Sequence, residues 1–374
     1  MNRRFFLVCM LTCSGVIAAC YAQSRSNTQQ GSFKANTIVS IKGEEFYING
    51  QPTYKGRFWK GKKIQGLLFN SRMVQGIFDD LNPATRVLFK YPDSTDYDAN
   101  RNTSEFVTAM DSWRSHGLLA FTLNLQGGSP TGYGNKGWIN SAFDKKGELR
   151  QDYFHRLEKI IDKADRIGMV VILGYFYFGQ DEYLENETAV INAVDKTTGW
   201  LLDRGYKNVL IELNNECDLS TYDHGILKAD KVHQLIERVR KTQRNGYSLL
   251  AGTSYSGGFV PLPNVVKSSD FILLHGNGVS QPSRISEMVT QTRNVEGYHP
   301  MPILFNEDDH YDFEKNSNNM VAAVNSYASW GLFDYRRKGE SFNEGFQSVP
   351  VDWRISSKRK EAFFKKLQEI TSGK

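Results

Sequence analysis

Cysteine is scarce: there are 4 in 374 residues, and Cys9, Cys13 and Cys20 fall within the first 20. Only Cys217 lies in the body of the chain, so no intrachain disulfide is expected. No His stands near it in sequence to activate the thiol, which reads as a small, half-buried filler rather than a nucleophile. Charge of one sign is lacking too. Lys and Arg total 46 against 41 Asp and Glu, a net charge of +5. The basic residues are scattered, with no stripe and no nucleic-acid motif, so nucleic acid is not an expected partner. Histidine is sparse, at 7 residues, and the chain shows no set metal-ligand spacing. Aromatic residues are plentiful by contrast: 13% of the chain, with 18 Tyr and 6 Trp. That surplus suits flat faces of a ligand as well as packing.

The first 21 residues read as a targeting segment. Arg3 and Arg4 precede an apolar run over 5–19 that is too short to span a bilayer. Two processing readings stand side by side. Ile17-Ala18-Ala19-Cys20 resembles a bacterial lipobox, which would leave Cys20 as a lipidated first residue. Tyr21-Ala22-Gln23 resembles a signal-peptidase site after Ala22. Either reading exports the chain, to the bacterial periplasm or to the outer membrane as a lipoprotein. Membrane contact is expected only through Cys20. Residues 23–36, rich in Ser, Gln and Asn, read as a linker. Residues 37–374 read as one domain, with a small N-terminal β-hairpin and a C-terminal helix over 357–370. The hairpin, with an Asn49-Gly50 turn, is expected to cover the lower end of that domain.

Within this domain short apolar strands alternate with helical patterns, which argues for a parallel sheet with crossover helices. Strands are expected over 64–70, 118–125, 169–176, 208–218, 247–252, 270–275, 302–306 and 330–334. Helices are expected over 103–116, 151–167, 188–204, 229–242, 283–295 and 320–329. Eight such strands make a (β/α)8 TIM barrel, class α/β. Polar residues gather at the strand ends: Asn124, Asn214, Glu216, His275, Glu307 and Trp330. In such barrels these ends converge on one face. The stretch 208–218, NVLIELNNECD, is the centre of the pattern, and MPILFNEDDH over 301–310 answers it with a second strand-end acid.

These residues carry a resemblance. IELNNEC over 211–217 is similar to the fourth-strand signature of clan A glycoside hydrolases, especially family 5, whose pattern is E-x-x-N-E-P. Glu212, Asn215 and Glu216 fall on the pattern. The resemblance implies that Glu216 is the acid/base and that Glu307, ending strand seven, is the nucleophile of a retaining β-glycosidase. It implies a carbohydrate substrate, no cofactor and no metal, with His275 and Trp330 at the sugar site and Trp330 as its floor. Three departures stand out. Cys217 replaces the usual Pro, strand two lacks an Arg at its end, and Asn277 stands where a Tyr often follows the strand-six His.

The chemistry of the residues agrees. Cleaving a sugar acetal needs one protonated and one ionised carboxyl at the same pH. A separation of ~5–5.5 Å serves retention and ~6.5–9.5 Å inversion. Asn215 could donate to the 2-hydroxyl, and Arg72 and Asn124 could reach the site. Trp138 and Tyr255, with Tyr133, Tyr175 and Tyr177, are candidates for sugar stacking. Two rival readings exist. Residues 307–312, Glu-Asp-Asp-His-Tyr-Asp, could hold a metal in a metal-dependent barrel hydrolase. A barrel that binds glycan without cleaving it is the other. A monomer is expected.

Overall fold

The structure, a computed structural model, describes residues 35–131 and 137–372. The targeting segment, most of the linker and Tyr133 lie outside the described residues. Asn36, at the linker's end, is already fastened. Its backbone N–H and its side-chain amide donate to the Asp165 carboxylate at 3.0 and 2.7 Å.

Eight parallel strands with crossover helices are found among the described residues: Asn70–Arg72, Ala120–Asn124, Val170–Phe176, Val209–Asn214, Leu250–Gly252, Ile272–His275, Ile303–Glu307 and Gly331–Phe333. Strands eight, one, two, three, four and five form one continuous sheet, and six pairs with seven. Two short seams complete the ring. Asp270 N donates to Ala251 O at 2.9 Å between strands five and six. Leu304 and Ser329 bridge strands seven and eight, with Ser329 N donating to Ile303 O at 2.9 Å. The arrangement is the expected (β/α)8 barrel, whose strand ends deliver side chains to one rim.

Strand one departs most from expectation. It was expected over 64–70 and pairs only from Asn70, so Arg72 ends the strand instead of following it. Leu67, Leu68 and Phe69 are buried all the same. The Leu67 carbonyl is taken by the Thr53 hydroxyl, which leaves it out of the sheet ladder. The first long helix, Ala99–Ser115, starts before its expected residue 103. Asp98 caps it by accepting from Asn100 N and Arg101 N, so the Thr103–Glu105 signature lies inside the helix. The helix Gln151–Ile167 matches its apolar stripe and ends on Gly168 at φ 75°. A helix the sequence pattern did not show, Pro263–Ser268, joins strands five and six.

The N-terminal hairpin, Val39–Lys42 with Glu45–Ile48, gains a third strand, Gln51–Pro52. Asn49 and Gly50 take φ of 52° and 74°, the left-handed pair a two-residue hairpin turn needs. Val39 and Phe46 pack on Leu68, Val170, Leu210 and Leu273 inside the barrel. The hairpin therefore plugs the mouth opposite the rim formed by the C-terminal strand ends.

Candidate active site

Four strand ends bring charge together. Arg72 ends strand one, Glu216 lies two residues past strand four, and His275 and Glu307 end strands six and seven. Arg72 Nε is 2.8 Å from Glu307 Oε2 and its Nη1 is 3.7 Å from Glu212 Oε2. Its Nη2 donates to Asn215 Oδ1 at 2.6 Å. His275 Nδ1 lies 2.9 Å from Glu216 Oε1 and 3.6 Å from Glu307 Oε2. Asn277 Nδ2 donates to Glu307 Oε1 at 3.2 Å. One oxygen of each acid and a His275 nitrogen all lie within 4.8 Å of one another.

Two backbone features aim the acids. Strand seven carries a bulge: Leu274 pairs with Phe305, but His275 pairs with Glu307. Alternation would send neighbours 306 and 307 to opposite faces. The bulge lets both turn inward, Asn306 to Glu212 Oε1 at 3.2 Å and Glu307 to Arg72. Glu216 has φ 55°, a left-handed backbone rare for a side chain of its size. It is held there from strand five. Ser254 Oγ accepts from Glu216 N at 3.0 Å, and Ser254 O from Cys217 N at 2.9 Å. Strain of roughly 1–3 kcal/mol stored this way is common where a site fixes a reactive group.

The charges set the proton inventory. Burial pushes Glu216 up, but the hydrogen bond and charge of His275, with the Arg72 charge, more than reverse this and hold it below the usual range. Burial pushes Glu307 up and wins over the opposing Arg72 and His275 charges, with Glu216 adding to the rise. Burial lowers His275, and the charges of Glu307 and Glu216 overcome it and raise it. Glu216 and His275 face each other across a 2.9 Å contact and titrate as a pair.

The sequence candidates separate into those at the cluster and those away from it. Glu216, Glu307, His275, Asn215 and Arg72 meet there. Arg72 supplies the cation that strand two lacks at its end. Asn277 touches Glu307 from the position where a Tyr was expected. Asn124 sits one layer below. It pairs across Gly174 with Glu212 in strand register, and a Cβ on Gly174 would stand 2.2 Å from its Oδ1. Trp330 is not the floor of the cleft. It is 0% exposed, gives its indole N–H to Asp308 Oδ2 at 2.9 Å, and packs on Phe313 of the loop after strand seven and on Phe363 of the C-terminal helix. Residue 330 precedes the strand-eight ladder, where the side chain faces the helices. Tyr255 is buried as well, its hydroxyl accepting from Leu262 N at 3.1 Å, so it braces a loop. Tyr175 reaches Thr198 on the helix side. Trp138 packs behind Tyr177, ring centroids 6.4 Å apart. Tyr177 is raised by burial, with the Glu307 and Glu216 charges adding to the rise, so it lies within electrostatic reach of both acids. Ser254 and the bulge at Asn306 carry no local sequence signal.

Cys217 is fully buried and its thiol is pushed well up by burial, as befits a filler. In the 307–312 run, Asp308 Oδ1 faces the His310 ring at 2.7 Å and accepts from Asn319 at 3.2 Å. Its Oδ2 is taken by Trp330. These bonds make Asp308 a clamp between strands seven and eight.

A barrel with a carboxylate pair on its C-terminal rim defines the class of fold and site. No family model matches the sequence, and no curated protein matches it. Solved structures share the fold. A family 5 mannosidase from Rhizomucor miehei is 10% identical, with TM-score 0.53, covering 91% of this chain and 99% of that one. A β-glucosidase from Thermotoga maritima is 9% identical, with TM-score 0.53, covering 82% and 98%. A larger Bacteroides vulgatus protein is 13% identical at TM-score 0.53 over 85% of this chain, which spans 59% of its length. The chain is thus similar in fold to family 5 glycoside hydrolases.

Proposed function

We propose that this chain is a retaining β-glycosidase acting on β-linked sugars, with Glu216 as acid/base and Glu307 as nucleophile. The observation that carries the reading is the pair of carboxylates with oxygens within 4.8 Å, on the rim of a glycosidase-like barrel. Acids this close support the retaining arrangement, in which one carboxylate attacks the anomeric carbon directly. Arg72 and Asn277 orient Glu307. Glu216 delivers a proton to the leaving oxygen, with His275 at 2.9 Å as the group that can resupply it, then serves as base toward water. Export through the N-terminal segment, with or without a lipid on Cys20, belongs to the same proposal.

A second reading exchanges the two roles. It is favoured by the directions of the proton affinities, since burial raises Glu307 while His275 holds Glu216 down. Azide rescue separates them. Glu216→Ala should keep activity on substrates with activated leaving groups, and azide should restore turnover with retained configuration. Glu307→Ala should be nearly inactive, rescued with inverted configuration. Swapped patterns establish the exchanged roles. Unchanged turnover in both variants rejects the pair altogether.

A further inference from the structure

Both acids are almost out of solvent, Glu216 at 8% and Glu307 at 5% exposure. The loops after strands two and eight are tied to each other at this rim. Thr131 and Ser348 form an antiparallel bridge, and Val349 N donates to Pro130 O at 2.6 Å. Ser129 Oγ lies 3.1 Å from the hydroxyl of Tyr177, which feels the charges of both acids. The loop after strand one joins them, Gln75 Nε2 donating to Gly128 O at 2.5 Å. The strand-eight loop is anchored below. Phe346 N and Gln347 N both donate to Asp334 O, at 2.7 and 2.9 Å, and the Asp334 carboxylate pairs with Arg359 at 2.6 Å. The result is a braced arch over strands eight, one and two.

The opposite rim differs. In an eight-strand ring strand five faces strand one across the axis. The loop after strand five lies against the strand-six end, Gly258 N donating to His275 O at 3.1 Å, and leaves the Phe259 ring 61% exposed. The rim is therefore built unequally, tied loop to loop over strands eight, one and two, and carrying an exposed ring after strand five. Glu307 and its partner Arg72 come from strands seven and one, on the arch side. Glu216 comes from strand four, on the side of that ring.

Resting on the glycosidase reading, we propose that the arch closes the glycone end of the cleft, so the enzyme removes single sugars from the non-reducing ends of β-linked chains. The sugar attacked by Glu307 lies under the arch, and the leaving group passes Glu216 toward Phe259. Gln347 is the specificity residue of that pocket. It is buried in the arch, its Nε2 donates to Ser129 O at 3.5 Å, and its Oε1 accepts no hydrogen bond among the described residues. A buried amide oxygen of this kind offers an acceptor to a hydroxyl of the terminal sugar.

The test is the product pattern of the unmodified protein on β-linked oligosaccharides of three to six units and on aryl β-glycosides. Monosaccharide plus the chain shortened by one, from the first time points, is expected. Chains capped at the non-reducing end should resist. Gln347→Ala should raise KM on the aryl monosaccharide about three- to tenfold, the size of one lost hydrogen bond, with kcat moving less. Internal fragments at early times, or cleavage of capped chains, overturn the arch proposal and leave the glycosidase reading intact. An unchanged KM in a folded Gln347→Ala removes Gln347 from the pocket. No cleavage of any panel member overturns both.

Discussion

His275 Nδ1 lies 2.9 Å from Glu216 Oε1, closer than to Glu307 Oε2 at 3.6 Å. The imidazole therefore answers to the acid on strand four. His275 holds the Glu216 carboxyl down by its hydrogen bond and charge, against a burial that pushes it up. His275→Ala should therefore raise Glu216 and move the kcat/KM limb that reports it to higher pH, read from pH profiles on an aryl glycoside. A limb that stays in place shows that Glu216 titrates without His275.

The same residue gives a stability prediction. His275 is raised in the folded chain, so folding favours its proton. Its stabilisation is complete below the ordinary histidine range and disappears as pH rises through the raised value. Chemical denaturation across this window should show wild type losing stability relative to His275→Gln as pH rises. A parallel pair of curves contradicts the assignment.

Arg72 is enclosed by Glu307, Glu212 and Asn215, all buried. Taking away one partner of a buried ion cluster leaves the others uncompensated, at about 3–5 kcal/mol. Arg72→Ala should lose roughly that much in urea unfolding and nearly all activity. Arg72→Lys should regain part of the stability but not the Asn215 contact, since a lysine cannot reproduce the guanidinium fork.

Gly174 is a packing requirement rather than a turn. A methyl there would stand 2.2 Å from Asn124 Oδ1 and 3.5 Å from Glu212 Oε2. Gly174→Ala should cost about 1–3 kcal/mol by overpacking. Because Glu212 touches Arg72, kcat should fall with it. A variant with normal melting and normal kcat would show that the layer below the acids is slack.

Export is tested at Cys20. If the lipobox is used, Cys20→Ala should release the protein from the membrane fraction. Unchanged partitioning with a mature start at Gln23 would leave plain secretion.

Much of this was legible in sequence because it is local. The helix 151–167 shows its apolar stripe and its Gly168 stop within 18 residues. Strands three and four are short apolar runs ending in polar residues, and their alternation with helices implies the barrel. Glu216 and Glu307 are visible because each ends such a run. Tertiary structure decided the rest. Arg72 reads equally well as a surface cation. It becomes the centre of the charge cluster only when strand one is laid beside partners more than 140 residues away, at Asn215 and Glu307. Trp330 reads as a sugar floor because it sits at a strand end. Which face a strand-end residue presents depends on where pairing begins, and the strand-eight ladder begins at Gly331. The bulge that turns Glu307 inward, the left-handed Glu216 and the tie between residues 130 and 349 are register and loop contacts. Each depends on atoms far apart in the chain, so no periodicity in the sequence encodes them.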